Sequence, residues 1–169
     1  MPDSSDFPLG EAELVFLREL ARAGSRFMVV GVGAAVLQGA DAVTQDLDLW
    51  FHSLGDPAIV NAARAAGGVL VTRSDPPMIA GKGLDRIDLV VRCQGLKSFN
   101  LEYAKALELT LMDFSIKILP LERVIASKRA AGRPKDKAVL EALRATLAAS
   151  KGDRSFRSPA ALPQARSSA

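Results

Sequence analysis

The sequence predicts an α/β (α+β) fold in which strands and helices alternate and helices close the C-terminal end. Three observations carry this. Phe27 to Val30 is an apolar run of strand length, broken at Gly31 and Gly33. Asp46-Leu47-Asp48-Leu49-Trp50 alternates polar with apolar residues at the strand period. Pro120 to about Ala149 reads as two helices, each started by a proline and separated by Gly132.

The elements follow in order. Leu14, Leu17 and Leu20 or Ala21 recur at helical spacing between Gly10 and Gly24, which predicts an amphipathic helix used for core packing. The Phe27 to Val30 strand comes next. Ala34 to Leu37 then suggests about two turns of helix that stop at Gly39, and Thr44 leads into the alternating strand. Asp56-Pro57 provides an N-cap and a first-turn proline for a helix ending at Gly67-Gly68, followed by a short strand from Val69 to Thr72. Ser74 to Gly83 contains two Pro and two Gly, which predicts an irregular loop lying over the site. Lys82 in that loop is either a phosphate contact or a solvated lysine.

Leu84 to Arg92 reads as a strand with Ile87, Leu89 and Val91 on one face and Arg86, Asp88, Val90 and Arg92 on the other. Phe99, Tyr103 and Ala106 or Leu107 share a helix face. Leu107 to Leu111 and Phe114 to Ile118 form a hairpin around Met112-Asp113, a pair poorly suited to a type I′ turn. From Lys151 the composition turns to Ser, Ala, Pro and Arg without periodicity, so residues 1–150 are expected to form a single domain and 151–169 a disordered basic tail.

At 169 residues the chain fits one domain, and its hydrophobic content of 49% suits a folded globular protein. No apolar run approaches the roughly 20 residues needed to span a bilayer, and MPDSSDFPLG has neither the basic start nor the apolar core of a secretory signal. Cys93 is the sole cysteine, which excludes an internal disulfide and fits a reducing compartment, so a cytoplasmic location is expected. The net charge of +3 lies entirely in the last 19 residues, through Lys151, Arg154, Arg157 and Arg166 against Asp153. It is therefore weak evidence for a nucleic-acid partner.

The chemistry concentrates in Arg26 to Phe51. Side chains two apart on a strand share a face, so Asp46 and Asp48 project together. Like charges held that close call for a cation, and a hard divalent ion with oxygen ligands suits them, which makes this a candidate metal and nucleotide site. Asp88, a charge inside an apolar run, needs a partner too, whereas Asp85 sits at the opposite parity as a solvated carboxylate. The glycine pattern also imitates a dinucleotide fingerprint, but Val36 occupies its third glycine position. His52 is the only histidine and lacks the G-x-S-x-G context of a hydrolase triad.

At these residues a family resemblance enters. G-x-G-A from Gly31, the downstream Gly39, T-x-D-L-D-L from Thr44 and the section ILPLERVIASKRAAGRPKDKAVLEAL resemble the nucleotidyltransferase superfamily (polymerase-beta-like). The likeness is to its small bacterial abortive-infection and toxin-antitoxin members, and it runs from about Leu14 to about Leu143. It implies the mixed β-sheet of the nucleotidyltransferase fold and transfer of an NMP from an NTP to an acceptor hydroxyl, with release of pyrophosphate. It further implies that Asp46, Asp48 and Asp88 are catalytic and hold two Mg²⁺ ions, with Mn²⁺ as an alternative, and that Asp88 lies nearest the acceptor hydroxyl. Gly31, Val32, Gly33, Thr44, Arg86 and Lys128 are the implied nucleotide-binding positions, and Lys135 matches a second family lysine.

The acceptor stays open between an RNA end, a protein hydroxyl and a small molecule. Two residues depart from the family pattern: Val32, where Gly or Ser is usual, and Val139, where relatives often have Asp. They motivate the alternative of a degenerate, antitoxin-like domain that binds nucleotide or a partner protein. A turn shifted by one residue, with Gly33 in the phosphate-facing role, would instead preserve activity.

Overall fold

The structure is a computed structural model that describes residues 8–155. Its elements run α1 (Glu11–Arg22), β1 (Phe27–Val30), α2 (Gly31–Leu37), β2 (Leu47–Phe51), α3 (Pro57–Ala65), β3 (Val69–Val71), β4 (Met78–Ala80), β5 (Ile87–Val90), α4 (Phe99–Tyr103), β6 (Leu107–Leu111), β7 (Phe114–Ile118), α5 (Leu121–Ala131) and α6 (Pro134–Ser155). The strands form one seven-stranded sheet in the order β3-β4-β5-β2-β1-β7-β6. It is mixed, as expected: β1 is antiparallel to β2 and parallel to β7, and β2 is parallel to β5.

The central strands are buried because every residue of β1 is apolar, and β2 follows with Leu47, Leu49, Trp50 and Phe51. Helices flank the sheet. Helix α1 packs on α3 and β7 through Phe16, Leu17 and Leu20, while α2 packs on β1, β2 and α5, and α5 on α6. Gln38, just past α2, fixes this second group: its amide nitrogen donates to Ala34 O and Leu119 O at 2.8 and 2.9 Å, and its Oε1 accepts from Leu121 N at 3.0 Å. The start of α5 is thereby tied to the end of α2.

Several boundaries differ from the sequence reading. Ser74 to Gly83 is not wholly irregular, because Met78–Ala80 forms β4 between β3 and β5. The strand expected from Leu84 to Arg92 is limited to β5, so Val91 lies beyond it and is exposed rather than core-facing. Helix α2 begins at Gly31 itself, with both glycines inside its first turn. The hairpin forms as expected, with Leu111 opposite Phe114 and Met112 taking the positive φ of 53°. Helix α6 continues past Ala149 to Ser155, so the expected tail does not begin at Lys151, and its remainder lies outside the described residues. Among the described residues no helix is long and apolar enough to cross a membrane.

Candidate active site

Where β2 and β5 run side by side, Asp48 is registered directly against Asp88, and on its other flank against Val30 of β1. Asp46 lies just before β2, two residues from Asp48. All three open into a cleft of about 750 Å³. Burial, then the adjacent Asp88, and also Asp46 push the Asp48 carboxyl up to about 6, against the opposing pull of Lys128 and Lys135. Burial and Asp46 raise Asp88 as well.

Among the described residues no side chain or backbone group donates a hydrogen bond to any of these three carboxylates, and none forms an ion pair with them. The fully buried acids behave differently. Glu13 is held by Arg86, Glu102 by Arg123, and Asp136 by Arg133 and Lys128. The cleft carboxylates thus keep their acceptor capacity for something that enters, although no group of three His, Cys, Asp or Glu is closed into a ready coordination set among the described residues.

Gly31 makes this geometry sterically feasible. Its φ of +66° favours glycine, and a Cβ built there would stand 2.5 Å from Asp48 Oδ2. Any side chain at position 31 would displace the carboxylate. Val32 follows it on the cleft wall, whereas Gly33 is buried beneath, facing Val29 and Leu47. The shifted turn is therefore not what the backbone adopts, because the glycine next to Asp48 is Gly31. Thr44 also lines the cleft, its hydroxyl donating to Asp46 O at 2.9 Å and accepting from Asp46 N at 3.2 Å. That local turn fixes the backbone leading into Asp46.

The opposite wall comes from the last helices. Gly132, in the left-handed conformation with φ 61°, ends α5, and α6 starts two residues later. This tight link brings Lys128, Arg133 and Lys135 to the cleft, with Arg92 from the end of the β5 segment. Asp136 is only 1% exposed and stands behind them, accepting from Arg133 Nε at 2.7 Å and pairing with Lys128 Nζ at 3.1 Å. Burial alone would raise its carboxyl, but these two cations outweigh burial and hold it near 2.

The other predicted positions divide. Lys135 and Val139 line the cleft, Val139 as an apolar spot. Arg86 does not. Its guanidinium bonds Glu13 at 2.7 and 2.8 Å and Pro8 O at 2.8 Å, and it borders a smaller cavity of about 200 Å³ on the far side of residues 42–46. Lys82 is exposed outside the cleft, so the loop that carries it is no cover for the site. His52 is exposed, packed edge-on against Phe99 at 5.5 Å. Cys93 lines the cleft, but burial and then Asp48 push its thiol up to about 12, so it stays protonated. Sequence reasoning gave no role to Arg133 and Asp136, although both stand in the section whose family resemblance singled out Lys135; an acid three residues into a helix start, which can cap the backbone, was a second signal.

The mixed seven-stranded sheet flanked by helices is a fold found in a solved nucleotidyltransferase. Among solved structures, ANT(2″)-Ia, an aminoglycoside nucleotidyltransferase in complex with adenylyl-2″-tobramycin, superposes with a TM-score of 0.54 at 14% identity, covering 85% of this chain and 94% of that one. No protein-family model and no curated protein matches the sequence.

Proposed function

We propose that the chain is a nucleotidyltransferase that moves an NMP from an NTP to an acceptor hydroxyl and releases pyrophosphate. The observation that carries this reading is the set of three unpaired carboxylates, Asp46, Asp48 and Asp88, in a cleft whose other wall is cationic, on the fold shared with ANT(2″)-Ia. Crowded acids with free acceptor oxygens suit hard divalent cations, so Asp46, Asp48 and Asp88 would hold Mg²⁺ or Mn²⁺. Such ions would neutralise the phosphates and favour departure of pyrophosphate.

The chain's own groups define the rest of the reaction. Lys128, Arg133, Lys135 and Arg92 provide positive charge for the triphosphate, and Lys128 and Arg133 arrive already held in place. Gly31 keeps the wall beside Asp48 free of a side chain, so a phosphate can come close. Asp88, on which no lowering cation acts whereas Lys128 and Lys135 act on Asp48, would accept the proton of the acceptor hydroxyl. ANT(2″)-Ia is seen in complex with adenylyl-2″-tobramycin, and by analogy the acceptor here is a hydroxyl on a molecule small enough to share the cleft with a nucleotide.

Label transfer tests the reading. Each α-labelled NTP is incubated with Mg²⁺ or Mn²⁺ and fractionated cell extract, using wild type, Asp48→Asn and Asp88→Asn. Label should pass to one fraction with wild type alone. Wild type that binds NTP without transferring label would instead identify the degenerate, antitoxin-like alternative that Val32 and Val139 motivate.

A further inference from the structure

We infer that Asp136 is a positioning residue, which presents Lys128 and Arg133 as a paired phosphate clamp to the carboxylate wall. This rests on the nucleotide-binding reading of the cleft. The geometry is specific. Oδ2 of Asp136 accepts from Arg133 Nε at 2.7 Å and from the Arg133 backbone N–H at 3.2 Å, while Oδ1 accepts from Arg133 Nη2 at 3.2 Å and faces Lys128 Nζ at 3.1 Å. Both oxygens are occupied and the group is 1% exposed, so it is not itself available to a ligand.

The cations it holds are still partly open, the Lys128 side chain at 14% and Arg133 at 54%, and both line the cleft. One negative charge therefore fixes two positive ones, and a net positive charge remains toward the cavity. Such a pair is also a mechanical tie, since Lys128 lies in the last turn of α5 and Asp136 in the first turn of α6. Without it, two long flexible side chains would have to be ordered each time a triphosphate binds, which costs affinity.

The test is a double-mutant cycle on nucleotide affinity, read by calorimetry with Mg²⁺ and each NTP, together with the melting temperature of every variant. Asp136→Asn keeps the shape and part of the helix cap but removes the charge. It should weaken NTP binding by roughly tenfold, and Asp136→Glu should recover part of the loss. In a Lys128→Met background the same Asp136→Asn change should cost clearly less than in wild type, about two- to threefold, because only Arg133 is left for the carboxylate to hold. An equal loss in both backgrounds, or a lower melting temperature at unchanged affinity, would overturn the positioning role. Coupled losses of affinity without label transfer by wild type would support the clamp and overturn the transferase reading, whereas wild type binding no NTP overturns both.

Discussion

Asp48 shows what a crowded, half-buried carboxylate costs the fold. Its carboxyl is raised to about 6 from an ordinary 3.8, so between about pH 4 and 6 the folded state holds a proton that the unfolded state has lost. Stability contributed by this group is therefore present at low pH and declines as pH rises through that window. Asp48→Asn should flatten the decline and stabilise the protein by about 1 to 2 kcal/mol at pH 7.5 without divalent ions, since a half-buried acid realises only part of the full shift. Urea denaturation of both proteins at pH 4.5 and 7.5 checks this, and equal pH slopes would contradict it. Asp46, Asp48 and Asp88 were legible in the sequence because strand period and an isolated charge in an apolar run are local signals. The burial of Glu13 and the engagement of Arg86 were not, because the two lie 73 residues apart and only the folded chain brings them together.

Among the elements, α1 is fastened to the segment leading into β5 by that pair. Glu13 also accepts from Gly10 N at 2.8 Å, closing the start of its own helix. Glu13→Ala would leave Arg86 without its carboxylate and the helix N-terminus without its cap, a loss of about 2 to 3 kcal/mol. NTP affinity should not change, because Arg86 stands outside the large cleft; chemical denaturation and calorimetry on the same variant separate the two effects. A fall in affinity would return Arg86 to the nucleotide site. The element missed by sequence was β4, three residues in a Pro- and Gly-dense stretch. Its extended state is imposed by neighbours, with Leu70 opposite Ile79 on one side and Met78 opposite Asp88 on the other. Gly68 and Gly81 allow that edge to close, since a Cβ on Gly81 would lie 2.8 Å from Gly68 Cα. Helix boundaries marked by Asp56, Gly24 and Gly132 were readable because caps are chemical signals carried by one or two residues.

For the whole molecule, residues 1–150 carry no net charge and the basic excess follows them. The fold offers no general attraction to polyanions, so nucleic-acid retention should depend on the C-terminal residues. Truncation after Ser155 removes Arg157 and Arg166; it should lower the salt needed to elute the protein from heparin while leaving NTP affinity within about twofold. Unchanged elution would place a polyanion-binding surface on the fold itself.

The order in which the cleft's two walls occur along the chain has a consequence during translation. The acids at 46, 48 and 88 precede the cations at 128, 133 and 135, and β7, which pairs with β1, lies between them in sequence. A nascent chain arrested before Leu121 carries the anionic strand pair with none of its helical counter-charge. Closing the cleft is thus a late event of biosynthesis, and a ribosome-bound chain stopped short of α5 holds its acids with Arg92 but without Lys128, Arg133 and Lys135.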